Sequence, residues 1–341
     1  MEVAGGLVAM VGANAQGKTN LLEAAHYLLA LSSPRVSSDE PLVRRGAAQA
    51  YLRGEVNTAT GRVLVEVEVR PSGANRVQVN RSGVRRKRDL GQRVRSVMFV
   101  PEDLAIVQGE PEGRRRFMDE AVVALWPAEE AARRSYDRAL RQRNRLLKEH
   151  EDPGVPPGLE AWNAELAGHG AAVTVARSRA LSMVGPRADN AFRLVTGSPL
   201  RVAYRPSVEA DGDVEGRFLE RLAARLDDEL VRRTTLVGPH RDELELGVGE
   251  LAARRFASHG EAWGAVLCLR LGMAGAVDVE LGEPPVVLLD DPFSGLDPER
   301  RQRLGELLAG RGQVLVSVPD ENQVPEGASV WEVRDGSVRA R

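Results

Sequence analysis

The chain has 341 residues, 43% hydrophobic and 28% charged, which fits two domains or one large domain with an insertion and excludes wholesale disorder. A single cysteine, Cys268, excludes a disulfide framework and any four-cysteine zinc site. No apolar run reaches the roughly 18 residues of a membrane helix and the N-terminus lacks the basic start of a signal peptide, so the chain reads as cytoplasmic, with no membrane partner.

In chain order, residues 6–11 read as a short buried strand that opens into Gly12, Ala13, Asn14, Ala15, Gln16, Gly17, Lys18 and Thr19, with a helix from Asn20. This is the phosphate-loop pattern. Its glycines let successive backbone N–H groups point at phosphate, the helix N-terminus favours negative charge, Lys18 reaches the β- and γ-phosphates, and Thr19 offers its hydroxyl to Mg²⁺. Lys18 is one of only three lysines, with Lys87 and Lys148, among 47 basic residues.

Residues 49–70 alternate as strands, with Val63, Val65, Val67 and Val69 on one face, and Pro71–Gly73 turns the chain into a hairpin at 76–79. Residues 70–95 carry nine basic side chains against one acid, Asp89, within a chain whose net charge is −2. That local excess predicts sequence-independent contact with duplex DNA backbone through Arg76, Arg81, Arg85, Arg86, Lys87 and Arg88. Arg114, Arg115 and Arg116 face DNA or cap a helix near Asp119.

Residues 128–150 read as an Arg- and Ala-rich helix, broken by 152–158. Further helices follow over 159–182 and 186–194, forming a helical arm without sustained heptads, then another over 215–233. Ser258, His259, Gly260 and Glu261 lead into a helix and make a candidate anion site. Val286–Leu289 ends in Asp290 and Asp291, a buried strand with two acids at its C-terminal end, 272 residues after Lys18. Asp290 is placed to support Mg²⁺ and Asp291 to polarise an attacking water. Ser294 and Asp297 follow, then a strand at 314–316 and a closing hairpin with an Asp335-Gly336 turn.

The order Gly12–Thr19, Ser258–Glu261, Leu288–Asp291, Ser294–Asp297 resembles that of ABC ATPases. Ser258 lies 240 positions after Lys18, more than a transporter subunit holds there. Phe99–Leu104, Arg115–Asp119, Gln142–Lys148, Gly238-Pro239-His240-Arg241-Asp242 and Leu289–Asp297 resemble the RecF family of bacterial recombination mediators over nearly the whole chain. The resemblance implies an α/β ABC-ATPase head of mixed sheets and helices with an inserted, mainly helical second lobe, akin to SMC heads. In residue terms the expected divisions are 1–125, 126–235 and 236–341.

The resemblance also implies an ATP-dependent homodimer on gapped or junction DNA, acting with RecO and RecR to load RecA. In that dimer Ser258, Gly260 and Glu261 of one copy close over the ATP held by Lys18 of the other, with Ser294 and Asp297 at the dimer contact. Lys18 and Asp291 carry slow, weak, DNA-stimulated hydrolysis that resets the dimer; Asp291 stands where many ABC ATPases have Glu. Transporter ATPase subunits and small-metabolite P-loop kinases are the alternatives. The family places a further strand-bearing segment before its phosphate loop, whereas only eleven residues precede Gly12 here; either the start is misassigned or one strand of the first lobe is missing. No switch histidine follows Val316, and core packing is expected of Cys268.

Overall fold

The protein is described by a computed structural model covering residues 3, 5–36, 38–84, 87–91, 94–152 and 154–341, with the backbone alone at 87 and 88. The chain opens on β1 (Leu7–Val11), the phosphate loop and α1 (Lys18–Ala30). An antiparallel stretch follows: β2 (Ala50–Thr58), β3 (Gly61–Val69), β4 (Arg76–Val79) and β5 (Ser82–Gly83). Next come α2 (Lys87–Gly91), β6 (Ser96–Phe99), α3 (Ala105–Gln108), α4 (Pro111–Leu125), α5 (Glu130–Glu149) and α6 (Leu159–Thr196). β7 (Leu200–Arg205), α7 (Val214–Ala224), α8 (Leu226–Arg232), β8 (Glu243–Val248), β9 (Leu251–Ala252) and α9 (Ala253–Phe256) lead to α10 (His259–Leu281). The chain closes with β10 (Val286–Leu289), α11 (Pro298–Ala309), β11 (Val314–Val318), β12 (Ser329–Arg334) and β13 (Ser337–Ala340).

The central sheet runs β13-β12-β1-β11-β10-β6, parallel except for the β12–β13 hairpin. Its inner strands are apolar on both faces, as a sheet covered by helices requires. Val8, Met10, Leu288 and Leu315 pack with Leu22 of α1, while Ala9, Leu289 and Val316 join the larger core with α4, α6 and α10. Parallel pairing aligns the strands' C-terminal ends: β1 runs into the phosphate loop and β10 into Asp290. β2 to β5 form a second sheet whose valines pack on Tyr27 and Leu29 of α1. A third sheet, β7-β8-β9, went unpredicted; its β7–β8 ladder joins residues on either side of the expected division at 235.

Two expectations are corrected. The stretches 159–182 and 186–194 form one 38-residue helix, α6, with Pro186 inside it. A mid-helix proline costs about 3 kcal/mol, but Leu181, Val184, Phe192 and Val195 are buried on either side of it, at about 1.5–3 kcal/mol for each large side chain. Arg187 also donates to the Met183 carbonyl, one turn back. Secondly, α10 is long and apolar enough for a membrane span, with a mean hydropathy of 1.4 over 18 residues, yet 83% of that window is buried inside the fold. It is the core helix; Cys268 sits within it, fully buried, and burial pushes its thiol up to about 12.

The Gly238–Asp242 segment ties the helical elements together. Asp242 is fully buried and accepts from Arg177, from Tyr204 Oη at 2.5 Å and from the Ser207 N–H at 2.7 Å, while Arg177 also pairs with Asp119 at 2.7 Å. His240 Nδ1 faces Tyr136 Oη at 2.6 Å and its Nε2 faces the Thr235 carbonyl at 3.0 Å, so the neutral ring accepts on one nitrogen and donates on the other. Gly238 is required: its φ is +128° and a Cβ there would run into Tyr136 Oη and Phe218. The Gln142–Lys148 segment is also structural. Arg143, fully buried, pairs with Glu229 at 2.6 Å, and Asn144 accepts from the Thr235 backbone and hydroxyl.

Burial lowers the His240 pKa to about 4; burial does the same to His26, with Arg270 adding to the shift. Both rings are neutral when folded and ordinarily basic when unfolded. Between pH 6.5 and about 4 the unfolded chain therefore binds protons that the folded chain refuses, and stability falls as pH drops through that window. The limiting loss is about 3 kcal/mol per ring. Thermal melts from pH 7 to pH 5 are expected to show a falling Tm, with His240→Gln losing part of that slope.

Candidate nucleotide site

The phosphate loop is held in shape before any ligand arrives. Gly17, at φ +97°, ends the loop and starts α1, and Ala15 also lies in the left-handed region. The closing hairpin clasps the loop from outside: the Gly336 N–H donates to the Gln16 carbonyl at 2.9 Å and the Asp335 N–H to Gln16 Oε1 at 2.8 Å. Gly12 passes so close to the Val333 carbonyl that a side chain there would collide with it. Ala13, Asn14, Ala15 and Asn20 remain exposed.

Lys18 is buried and folds back over the loop, donating to the Gly12 and Ala13 carbonyls at 2.5 and 2.9 Å. Burial lowers its pKa, while Asp290 and Asp291 pull the other way. The Thr19 hydroxyl donates to both Asp290 oxygens, at 2.8 and 3.0 Å. The fold thus brings residues 271 apart in sequence into hydrogen-bond contact. Among the described residues no three His, Cys, Asp or Glu form a ready metal cage. Thr19 and Asp290 nevertheless supply adjacent hard oxygen donors of the kind Mg²⁺ takes when phosphates complete its shell.

Asp291 turns out of the strand with a φ of +47°. One of its carboxylate oxygens is buried without a hydrogen-bond partner. Burial raises its pKa, the neighbouring Asp290 raises it further, and Lys18 opposes both. Ser317, on β11, donates to Asp290 Oδ1 at 2.6 Å. Sequence reasoning looked past this residue in searching for a switch histidine; a hydroxyl at the end of a strand parallel to β10 was the available signal.

Ser258 caps α10 in a reciprocal box: its Oγ accepts the Glu261 N–H at 3.3 Å and Glu261 accepts the Ser258 N–H at 2.8 Å. These bonds hold Glu261 below the usual carboxylate range. Ser258 is exposed and, among the described contacts, touches no phosphate-loop residue. The first turn of α10 instead meets the loop after Asp291 through Gly260 and Trp263. A Cβ on Gly260 would lie 3.0 Å from the Gly295 carbonyl, and Trp263 Nε1 donates to the Pro292 carbonyl at 2.9 Å. Ser294 and Asp297 are exposed on that loop, and Asp297 caps α11 by accepting the Arg300 N–H.

The basic stretch is partly structural. Arg70 pairs with Glu68 at 2.7 Å, and Arg95 donates to the Ala124 carbonyl at the end of α4. Arg76 and Arg81 are exposed at the β4 end of the second sheet. Arg85 and Arg86 lie outside the described residues, as do the side chains of Lys87 and Arg88. Arg114 is buried against Glu243 and Arg115 donates to the Asp242 carbonyl, so both serve the fold.

No protein-family profile matches the chain. Individual relatives do. It is 43% identical to the DNA replication and repair protein RecF of Streptomyces avermitilis, over 98% of this chain and 93% of that one. It is 41% identical to the protein of the same name from Cutibacterium acnes, over 96% and 90%. The chain belongs to the RecF family. A solved structure described as the recombination mediator protein RecF with ATP, in the RecFOR pathway, superposes with a TM-score of 0.88 at 28% identity, covering 100% of this chain and 93% of that one. The SMC head of Pyrococcus furiosus shares the fold at a TM-score of 0.53 and 16% identity, over 98% and 89%. RecF membership removes the transporter and kinase alternatives.

Proposed function

We propose that this RecF-family protein binds ATP, pairs with a second copy on gapped or junction DNA, and with RecO and RecR helps load RecA in the cytoplasm. The observation that carries the nucleotide half is the contact of Thr19 with Asp290, beside Lys18 and a partly unpartnered Asp291. Lys18 leaves its two carbonyls for the β- and γ-phosphates, and the loop after Gly12, exposed at Ala13, Asn14 and Ala15, presents backbone N–H groups to them. Mg²⁺, held by Thr19 and Asp290, would screen the phosphate charge. Asp291 orients water, and its short side chain makes hydrolysis slow. Ser258, Gly260 and Glu261 close the site from the partner copy, with Ser294 and Asp297 beside them. Residues 1–125 and 236–341 form the ATPase, and 126–235 the helical second lobe.

Steady-state ATP hydrolysis with and without gapped duplex DNA tests this reading: DNA is expected to raise a slow rate, and no hydrolysis or binding of ATP under either condition would refute it. For the DNA half, duplex binding is expected to weaken with salt. Arg76→Gln combined with Arg81→Gln is expected to lower the log–log salt slope by about 2, measured by fluorescence anisotropy.

A further inference from the structure

Ser317 is fully buried beneath the carboxylate pair, and its hydroxyl is used twice. It donates to Asp290 Oδ1 at 2.6 Å and accepts the Asp291 N–H at 2.9 Å. The second contact is the more informative. β10 ends at Leu289, and the Asp290 N–H still finds the Phe99 carbonyl of β6 at 3.0 Å. One residue on, the backbone turns left-handed at φ +47°, a conformation that strains any residue with a Cβ. There the sheet offers Asp291 no carbonyl in register, and the Ser317 hydroxyl takes its place.

The neighbouring residue connects the same strand end to the phosphate loop. Val318 accepts the Gly12 N–H at 3.3 Å, and β11 pairs with β1 so that Ser317 lies opposite Met10. β11 therefore sets the position of the loop that would carry the phosphates and of the carboxylate that would face them. A strained backbone persists where its surroundings over-determine it, and a buried carboxylate oxygen without a donor persists where a further group completes the site. Asp291 shows both features, and Ser317 is the side chain that holds its backbone in place.

We propose that Ser317 is a positioning residue for hydrolysis: it locks Asp291 into the turn from which its carboxylate reaches the attacking water. This rests on the assignment of Asp291 made above. Ser317 acts through Asp290 and Asp291 and does not grip the nucleotide, so its removal separates turnover from binding.

Ser317→Ala removes the hydroxyl at nearly constant volume, and Ser317→Thr keeps it. In Ser317→Ala, binding of a fluorescent ATPγS analogue is expected to stay within about twofold, because the gripping groups are intact. The kcat is expected to fall at least about tenfold with KM unchanged, since small misplacement of a positioned group costs turnover. ATP-formed dimers, followed by light scattering after an ADP chase, are expected to last correspondingly longer. Ser317→Thr is expected to restore the rate. Unchanged turnover in Ser317→Ala would overturn the proposal. So would parallel losses of nucleotide binding and turnover, which mark a residue needed only for the fold. Wild-type turnover in Asp291→Asn would overturn it differently, by removing the assignment on which it rests.

Discussion

Lys18→Arg is expected to abolish ATP turnover, by roughly 100-fold or more, while weak nucleotide binding survives. Lys18 is a compact ammonium on a flexible stem, tucked against two loop carbonyls at 2.5 and 2.9 Å. The planar guanidinium is wider, and its fixed fork does not fit between the Gly12 and Ala13 carbonyls and the helix N-terminus. Charge is retained, so the phosphates are still attracted, but the donors no longer lie where charge builds in the transition state. Equilibrium binding and steady-state hydrolysis on the same preparation separate the two effects. Hydrolysis at the wild-type rate would refute the assignment of Lys18.

Ser258→Arg is expected to prevent ATP-dependent dimers without preventing ATP binding by the single copy. Ser258 is exposed at the start of α10 and, among the described contacts of one chain, touches no phosphate-loop residue. Its substitution therefore acts on the cap of α10 and where a second copy docks. Ser258→Ala is the control, because it loses the helix cap at about 1 kcal/mol and introduces no bulk. Light scattering should show a monomer mass for Ser258→Arg in ATP and a dimer mass for the wild type.

The local structure around the candidate site was legible in the sequence where it depends on short patterns. Gly12–Thr19 needs a particular loop, Val286–Asp291 a buried strand ending in acids, and Asp335-Gly336 a tight hairpin, and each was found at its expected place. Long-range packing was not legible. Pro186 signals a helix boundary by local rules, and only burial against α10 overrides it. The third sheet pairs β7 with β8 across 37 intervening residues, with no local signal for the partner. Charge was ambiguous for the same reason: Arg95, Arg114 and Arg115 look like surface cations in sequence, and their carboxylate or carbonyl partners lie elsewhere in the fold. His240 and Asp242, within the segment that matches the family pattern, are found joining α5, α6 and the third sheet.

Mixing the two inactive variants tests the shared site most directly. A heterodimer of Lys18→Arg with Ser258→Arg contains one site built from an intact Lys18 and an intact Ser258, contributed by different copies. ATP hydrolysis should reappear on mixing and rise with the fraction of heterodimer. If the mixture stays as inactive as its components at every ratio, or if Ser258→Arg alone hydrolyses ATP at the wild-type rate as a monomer, the nucleotide is not closed over by a second copy.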